Sequence, residues 1–276
     1  MIRNKRGKTR SRNTILFITI VAVIIAGYSL INVINLQVNL EKALDENKML
    51  EASLSTALKQ QANFELSINE LKTENEELAQ EIDKIKRIHK AELLHGLVGL
   101  KSLDPSIVID LRYTTGNNFT GKQIYPDNSI ALLRRETAIK LLQANNIFKE
   151  DGYSIKIWDA YRPLYAQQAL WDYAPNSGFV ANPQKGSKHN RGAAVDITLV
   201  DESGNEVEMP TEFDSFTDKA FRNSPDHSDI EKKNVEYITR VMQSCGFKGI
   251  SNEWWHFDDI NSLQYPLLDV DFDAFQ

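Results

Sequence analysis

The sequence predicts an α+β domain, a small and mainly antiparallel sheet with flanking helices, set behind a transmembrane helix and a coiled-coil stalk. Three observations predict it. A long run without charge follows a basic N-terminus, a heptad pattern without Pro or Gly follows that run, and short β-branched runs then alternate with amphipathic segments. The chain accordingly divides into a tail (1–13), a membrane span (14–35), a stalk (36–92) and a globular domain (93–276).

The tail holds Arg3, Lys5, Arg6, Lys8, Arg10 and Arg12 and no acidic residue. From Thr14 to about Ile34 the chain is largely apolar, and no charge appears until Glu41. About 20 such residues cross a bilayer as a helix. Positive charge on the leading side keeps the N-terminus cytoplasmic and sends the rest outside. A cleaved signal peptide, with Ala26-Gly27-Tyr28 as a weak cleavage candidate, and a buried core helix are the competing readings. A secretory apolar region is usually about 7 to 15 residues, shorter than this run.

Between Leu36 and His89 the heptads are continuous. Leu40, Asn47, Leu54, Gln61, Ile68, Asn75, Ile82 and His89 occupy a positions, and Leu36, Ala43, Leu50, Ala57, Phe64, Leu71, Leu78 and Ile85 occupy d positions. Strict steps of three and four over this length predict a coiled coil. Asn47 and Asn75 favour a parallel two-stranded register, because a buried amide is best satisfied by its mate, so a homodimer is expected. About 50 residues at 1.5 Å each give a stalk of roughly 75 Å. The small Ala43 and Ala57 and the polar Gln61 leave a single solvated helix or a partner-binding segment as the alternative. His89 and His95 read as seam, surface or linker residues, not ligands.

In the domain, strands are expected at Ile107–Arg112, Tyr153–Trp158, Ala193–Leu199 and Trp254–Asp258. Helices are expected near Leu132–Asn145, Leu164–Tyr173 and Ile230–Cys245. The single cysteine, Cys245, has no internal disulfide partner. It shares an apolar stripe with Val235, Ile238, Val241 and Met242, which places it in packing. The whole chain carries −6 and its first 13 residues +6, leaving −12 for the remainder. That balance argues against nucleic acid or an anionic membrane surface as partner and permits a small zwitterion or a peptide.

Three separated islands carry the chemistry: Trp158 to Pro163, Ser187-Lys188-His189 to Asp196, and Glu253-Trp254-Trp255-His256. His189, Asp196 and His256 match the ligand types of a catalytic zinc site, which keeps a fourth position open. A lone histidine is as easily structural as functional, but these have informative neighbours. Asp196 interrupts an apolar, β-branched run, and a carboxylate there costs several kcal/mol unless paired or metal-bound. Glu253 stands beside the last ligand as a general base. In a regular strand Glu253 and His256 would face opposite sides, so the segment must bulge or turn, or Glu253 must reach around from its end.

The run Asp159-Ala160-Tyr161-Arg162-Pro163, the pattern Ser187-x-His189-x-x-Gly192-x-Ala194-x-Asp196 and Glu253-Trp254-Trp255-His256 together resemble the zinc D-alanyl-D-alanine dipeptidases of vancomycin-resistance systems and their D,D-carboxypeptidase relatives. Ile109 to Tyr113, followed by Asn118 to Gly121, looks like the same family's N-terminal signature. The likeness covers roughly residues 100 to 272. It implies one zinc ion per subunit on His189, Asp196 and His256, with Glu253 as base and then acid in the attack of zinc-bound water on the bond between two D-amino acids. It also implies that Arg162 stabilises the oxyanion and that Ser187, Asp214 and Tyr125 contact the substrate, Asp214 meeting its ammonium group. The substrate is then D-Ala-D-Ala or, alternatively, the end of a peptidoglycan stem peptide. A non-catalytic wall-binding or scaffold protein is the reading from a different class, and the presence of Glu253 argues against it. The loops Trp171–Pro183 and Asn205–Ser228 depart from the family pattern, and such loops set which substrates fit.

Overall fold

A computed structural model describes residues 5–275, with side chains from residue 12. The chain forms two compact units, one ending at Ala79 and the other beginning at Gln80. Helix α1 (Lys5–His95) supplies the first unit and the opening turns of the second. It contains a stretch long and apolar enough to cross a membrane. Its seam positions, among them Leu40, Leu54, Ile68 and Leu78, are exposed.

The last turns of α1 pack on the rest of the second unit. Ala91 is buried, the Glu92 carboxylate lies 3.7 Å from the Arg135 guanidinium, and Arg134 Nη1 donates to the His95 carbonyl at 2.8 Å. The chain then runs through β1 (Leu97–Gly99), α2 (Leu100–Leu103), β2 (Val108–Ile109), β3 (Leu132–Arg134), α3 (Arg135–Glu150), β4 (Tyr153–Asp159), α4 (Leu164–Tyr173), β5 (Ala194–Asp201), α5 (Asp229–Ser244), β6 (Phe247–Gly249) and β7 (His256–Asp259). Strands β1 and β3 form a small antiparallel pair, and the main sheet has the order β2-β4-β5-β7-β6. Only β2–β4 is parallel in that sheet.

Alternation along β5 separates packing from chemistry. Val195, Ile197 and Leu199 join a core with Ile155, Ile157 and Phe257, covered by Leu141 and Phe148 of α3 and Ile238 and Met242 of α5. Each such side chain contributes about 1.5–3 kcal/mol by leaving water. Asp196 points to the other face. There a second, aromatic core of Trp158, Tyr161, Phe213, Trp254 and Trp255 surrounds the polar residues. Helix α5 begins with a capping box: Ser228 Oγ accepts from Glu231 N while the Glu231 carboxylate accepts from Ser228 N.

Several element boundaries differ from the sequence expectation. Leu132 to Arg134 extend as β3 before α3 begins, because they pair with Leu97 to Gly99. The expected strand at 107–112 is regular only at Val108–Ile109 and ends in a 3-10 turn at Arg112–Thr114. The strand expected from Trp254 starts at His256. Cys245 caps α5 and packs against the first core from a half-buried position.

Candidate active site

His189 opens a 3-10 turn, His189–Arg191, which ends at Gly192 with φ 65°. Glycine fits that left-handed turn for two reasons: a side chain is strained at this φ, and a Cβ would sit 2.5 Å from Leu97. Asp196 and His256 are cross-strand partners on β5 and β7. The sheet and the turn thus bring three residues together from distant sequence, with ligand atoms all within 4.8 Å of one another. His256 Nδ1 is 2.8 Å from Asp196 Oδ1, and His189 Nε2 is 3.4 Å from Asp196 Oδ2.

The outer hydrogen bonds decide which nitrogen faces inward. His189 Nδ1 is 2.7 Å from the Ala160 carbonyl, which accepts its proton and leaves Nε2 free to bind. His256 Nε2 is 2.8 Å from Asp258 Oδ1, leaving Nδ1. These two inward nitrogens are 3.2 Å apart. With both outer nitrogens protonated and the inner proton of His256 given up, two lone pairs would face each other beside a carboxylate, an arrangement suited to a cation. Burial opposes charge on His256, but its hydrogen bonds with Asp196 and Asp258 prevail and raise it to about 10. Burial likewise opposes ionisation of Asp196, yet the two histidines hold its carboxyl well below the usual carboxylate range. The donor set fits a divalent metal of the zinc type.

Glu253 solves its facing problem by lying before the strand. Residues 251–255 are bent and His256 begins β7, so Glu253 Oε2 comes within 3.8 Å of His256 Nδ1. The fully buried Trp254 and Trp255 anchor the bend, with Trp254 Nε1 donating to Thr211 Oγ1 at 2.9 Å. Burial pushes Glu253 up to about 7; His256 pulls the other way and Asp196 adds to the rise. A carboxylate poised near neutrality is suited to taking and returning a proton.

Arg162 is buried and held from behind. Its Nε and Nη2 donate to Asp159 Oδ2 at 3.0 and 2.6 Å, and Nη1 donates to Gln167 Oε1 at 3.0 Å. These three bonds do not use all five N–H donors of a guanidinium, and Arg162 lines the cavity. Tyr113 lies under the guanidinium at 5.3 Å. Burial opposes the charge, but Asp159 outweighs it and holds Arg162 protonated.

These groups line one cavity of about 380 Å³. Ser187 and Asp214 line it too, Ser187 Oγ accepting from His189 N at 3.0 Å. Asp214 has φ 58°, a left-handed conformation that costs a non-glycine residue about 1–3 kcal/mol. Its carboxylate is met by Tyr113 Oη at 3.3 Å and Phe119 N at 3.4 Å. Burial and then Asp196 push it well above the usual carboxylate range, with Arg162 pulling back.

Tyr125, expected as a substrate contact, is placed elsewhere. It is buried outside the cavity wall, and its hydroxyl donates to Asp159 Oδ1 at 2.7 Å. The tyrosine on the wall is Tyr113. Sequence reasoning also missed the supports Gln167, Lys188 and Asp258. Lys188 Nζ reaches Asp258 Oδ2 at 2.8 Å, tying the neighbour of one ligand to the support of the other. Two carboxylates right after His256 were the available signal.

The D-ala-D-ala dipeptidase family, peptidase M15, matches residues 94–275. The D-alanyl-D-alanine dipeptidase of Escherichia coli K12 is 36% identical over 179 residues, covering 65% of this chain and 92% of that protein. That of Enterococcus faecium is 31% identical over 187 residues, covering 59% and 90%. Among solved structures, VanYB in complex with D-Alanine-D-Alanine matches 49% of this chain and 75% of its own at 16% identity, with a TM-score of 0.30. The family match takes in all three motif islands and nearly the whole unit that holds the cavity, so the chain belongs to the D-Ala-D-Ala dipeptidase family of peptidases and is an enzyme.

Proposed function

We propose that this chain is a membrane-anchored zinc dipeptidase that hydrolyses D-Ala-D-Ala on the outer side of the membrane. The observation that carries the reading is one cavity walled by His189, Asp196, His256, the poised Glu253 and Arg162. When bound, zinc supplies a Lewis acid that polarises the scissile carbonyl and acidifies water.

The chain's own residues do the rest. His189 would offer Nε2 and His256 Nδ1, oriented by Ala160 and Asp258. Glu253 takes a proton from the attacking water and returns it to the departing amine. Arg162 directs its free N–H groups at the oxygen that gains charge, an interaction worth about 3–4 kcal/mol in comparable sites. Asp214 receives the free ammonium of the dipeptide, a positive partner for a carboxylate that burial and Asp196 push up. Ser187 contributes a polar contact to the substrate.

The anchoring part of the proposal draws support from the apolar stretch of α1 and the basic residues before it. The exposed seam residues support a parallel homodimer. An outward position also favours a second reading, D,D-carboxypeptidase action on peptidoglycan stems. We place it second because Asp214 lines the same cavity, where it can partner a free ammonium group.

The deciding assay compares D-alanine release from D-Ala-D-Ala and from a stem pentapeptide, with and without chelator. We expect chelator-sensitive turnover of the dipeptide and at least about 100-fold lower kcat/KM for the stem, the scale of losing a buried charge partner. Comparable or faster stem cleavage would install the carboxypeptidase reading, and turnover indifferent to chelator would remove the metal from it.

A further inference from the structure

The geometry points to Arg222 as the residue that positions the base against the ligand: its guanidinium joins the Glu253 and His256 carbonyls and so sets the bend between them. The inference rests on Glu253 acting as the base in the reading above.

Glu253 and His256 belong to segments of different rigidity. His256 is paired in register with Asp196, and Trp255 O accepts from Ile197 N at 3.1 Å. Glu253 lies in the irregular stretch before the strand, so its place depends on what grips residues 250–254. The 220–222 segment supplies that grip through its backbone: Arg222 N donates to Ser251 O at 2.9 Å, and Ala220 O accepts from Trp254 N at 3.1 Å. The Arg222 side chain completes it. Nε donates to Ile250 O at 3.1 Å, and Nη2 donates to Glu253 O at 3.0 Å and His256 O at 2.9 Å. Nη1 donates to Thr239 Oγ1 at 2.6 Å, which fixes the fork to α5. The plane stacks 4.5 Å over the Phe257 ring.

One rigid, planar fork therefore touches the start of the bend, the base and the ligand. Lysine cannot reproduce this, because a single ammonium point cannot span carbonyls on both sides of a planar fork. Gly249 bears the same mark. A Cβ there would stand 2.5 Å from the Arg222 Cζ, so this neighbour stays small to admit the guanidinium. Arg222 is not in the cavity wall. It acts through Glu253 and is a positioning residue.

The test is a double-mutant cycle in the full-length, zinc-loaded enzyme, reading kcat, KM, bound zinc and Tm. Arg222→Lys should lower kcat about 10- to 100-fold, the scale of an ångström-sized misplacement at a reacting group, with KM and zinc content near the parent's. Gly249→Ala should do the same by displacing the guanidinium from outside. In a Glu253→Gln background the effect of Arg222→Lys should shrink to within about twofold, because the group it positions no longer works. A merely structural arginine would lower Tm and multiply the loss equally in both backgrounds, which overturns the inference; so would an Arg222→Lys variant of parental kcat.

Should neither first variant fold, Thr239→Val removes the anchor of the fork at almost constant volume. It should still lower kcat several-fold at constant KM, and an unchanged kcat there also overturns the inference. Failure of the underlying reading looks different: Glu253→Gln itself would retain turnover.

Discussion

The helix up to Ala79 and the unit from Gln80 onward treat their apolar side chains in opposite ways. In the first, Leu40, Leu50, Leu54, Phe64, Leu71 and Leu78 are all exposed; in the second, Leu141, Ile155, Ile197, Ile238 and Phe257 are enclosed. Polar residues invert as well. The stalk keeps its charges in water, with pairs such as Lys42–Glu46 at 3.9 Å, where they contribute little. The second unit buries Asp159, Arg162, His189, Asp196, Glu253 and His256 in one neighbourhood. The first region carries a regular heptad pattern whose apolar positions are exposed. The second places expensive groups together, and the expense is the sign of function.

That contrast breaks hardest at the ligands. His256→Ala should abolish metal retention and turnover together while leaving α1 unchanged by circular dichroism. The parent protein allows a finer version. His256, raised to about 10, is protonated at neutral pH before metal binds. Loading at pH 7 must therefore release about one proton from it, and apparent affinity should fall about tenfold per unit as pH drops. Calorimetry in buffers of different ionisation enthalpy measures that proton. Release of none would mean that His256 is not the group displaced.

The next effect lies behind Arg162. Asp159→Asn removes the carboxylate that accepts from Nε and Nη2 and leaves a buried guanidinium short of charge compensation. We expect kcat to fall about 10- to 100-fold, as when a supporting partner of an active-site group is lost, with zinc content unchanged. Loss of zinc instead would move Asp159 to the metal side of the cavity, where it already lies 3.6 Å from His189 Nδ1.

How much was legible in the sequence follows from how local each signal is. The apolar run and the heptads are periodic along the chain, so they read without tertiary knowledge. Asp196 was legible because a carboxylate inside a β-branched strand is costly in any fold. The supports were not. Asp159 and Gln167 lie three and five residues from Arg162, and Asp258 two from His256, so the spacing is local, but spacing alone does not say which way each side chain turns. Strands β1 and β6 are three residues each, too short for alternation to register. Tyr113 and Tyr125 are both fully buried aromatics 5.4 Å apart, and a short 3-10 turn decides which faces Asp214 and which faces Asp159.

A smaller effect separates stability from catalysis inside the second unit. Asn145 is fully buried on α3; its carbonyl accepts from Ile155 N at 2.8 Å, and its amide donates to Asp104 Oδ2 at 2.9 Å and Ser106 Oγ at 3.0 Å. Asn145→Ala leaves a buried strand N–H without its acceptor, so about 1–3 kcal/mol of stability should go, with kcat intact. Burial acts to raise Asp104, but hydrogen bonds from Ser106, Asn145 and Lys149 outweigh it and hold the carboxyl well below its usual range. Its contribution is therefore present above the unfolded value near pH 4 and is lost as pH falls through the folded one. The gap between the denaturant midpoints of parent and variant should narrow in strong acid, leaving the part set by Ile155 N.

The smallest effect on turnover, and the sharpest test of the contrast, is in the stalk. Asn47 and Asn75 are exposed in the single chain, as are Leu40, Leu50 and Leu54 around the first and Leu71 and Leu78 around the second. In a paired seam each amide would face its mate, holding two strands in register at some cost in stability. Replacing both by Leu should strengthen association and loosen its stoichiometry, so that trimers or mixed registers appear in sedimentation of the detergent-solubilised protein. The D-Ala-D-Ala turnover per subunit should stay within about twofold, since neither asparagine lines the cavity and sites without shared partners act independently. A parent protein that sediments as a monomer would show that the exposed seam waits for a different partner. A variant that loses turnover would mean that pairing reaches the catalytic unit, and the division at Ala79 would no longer separate association from chemistry.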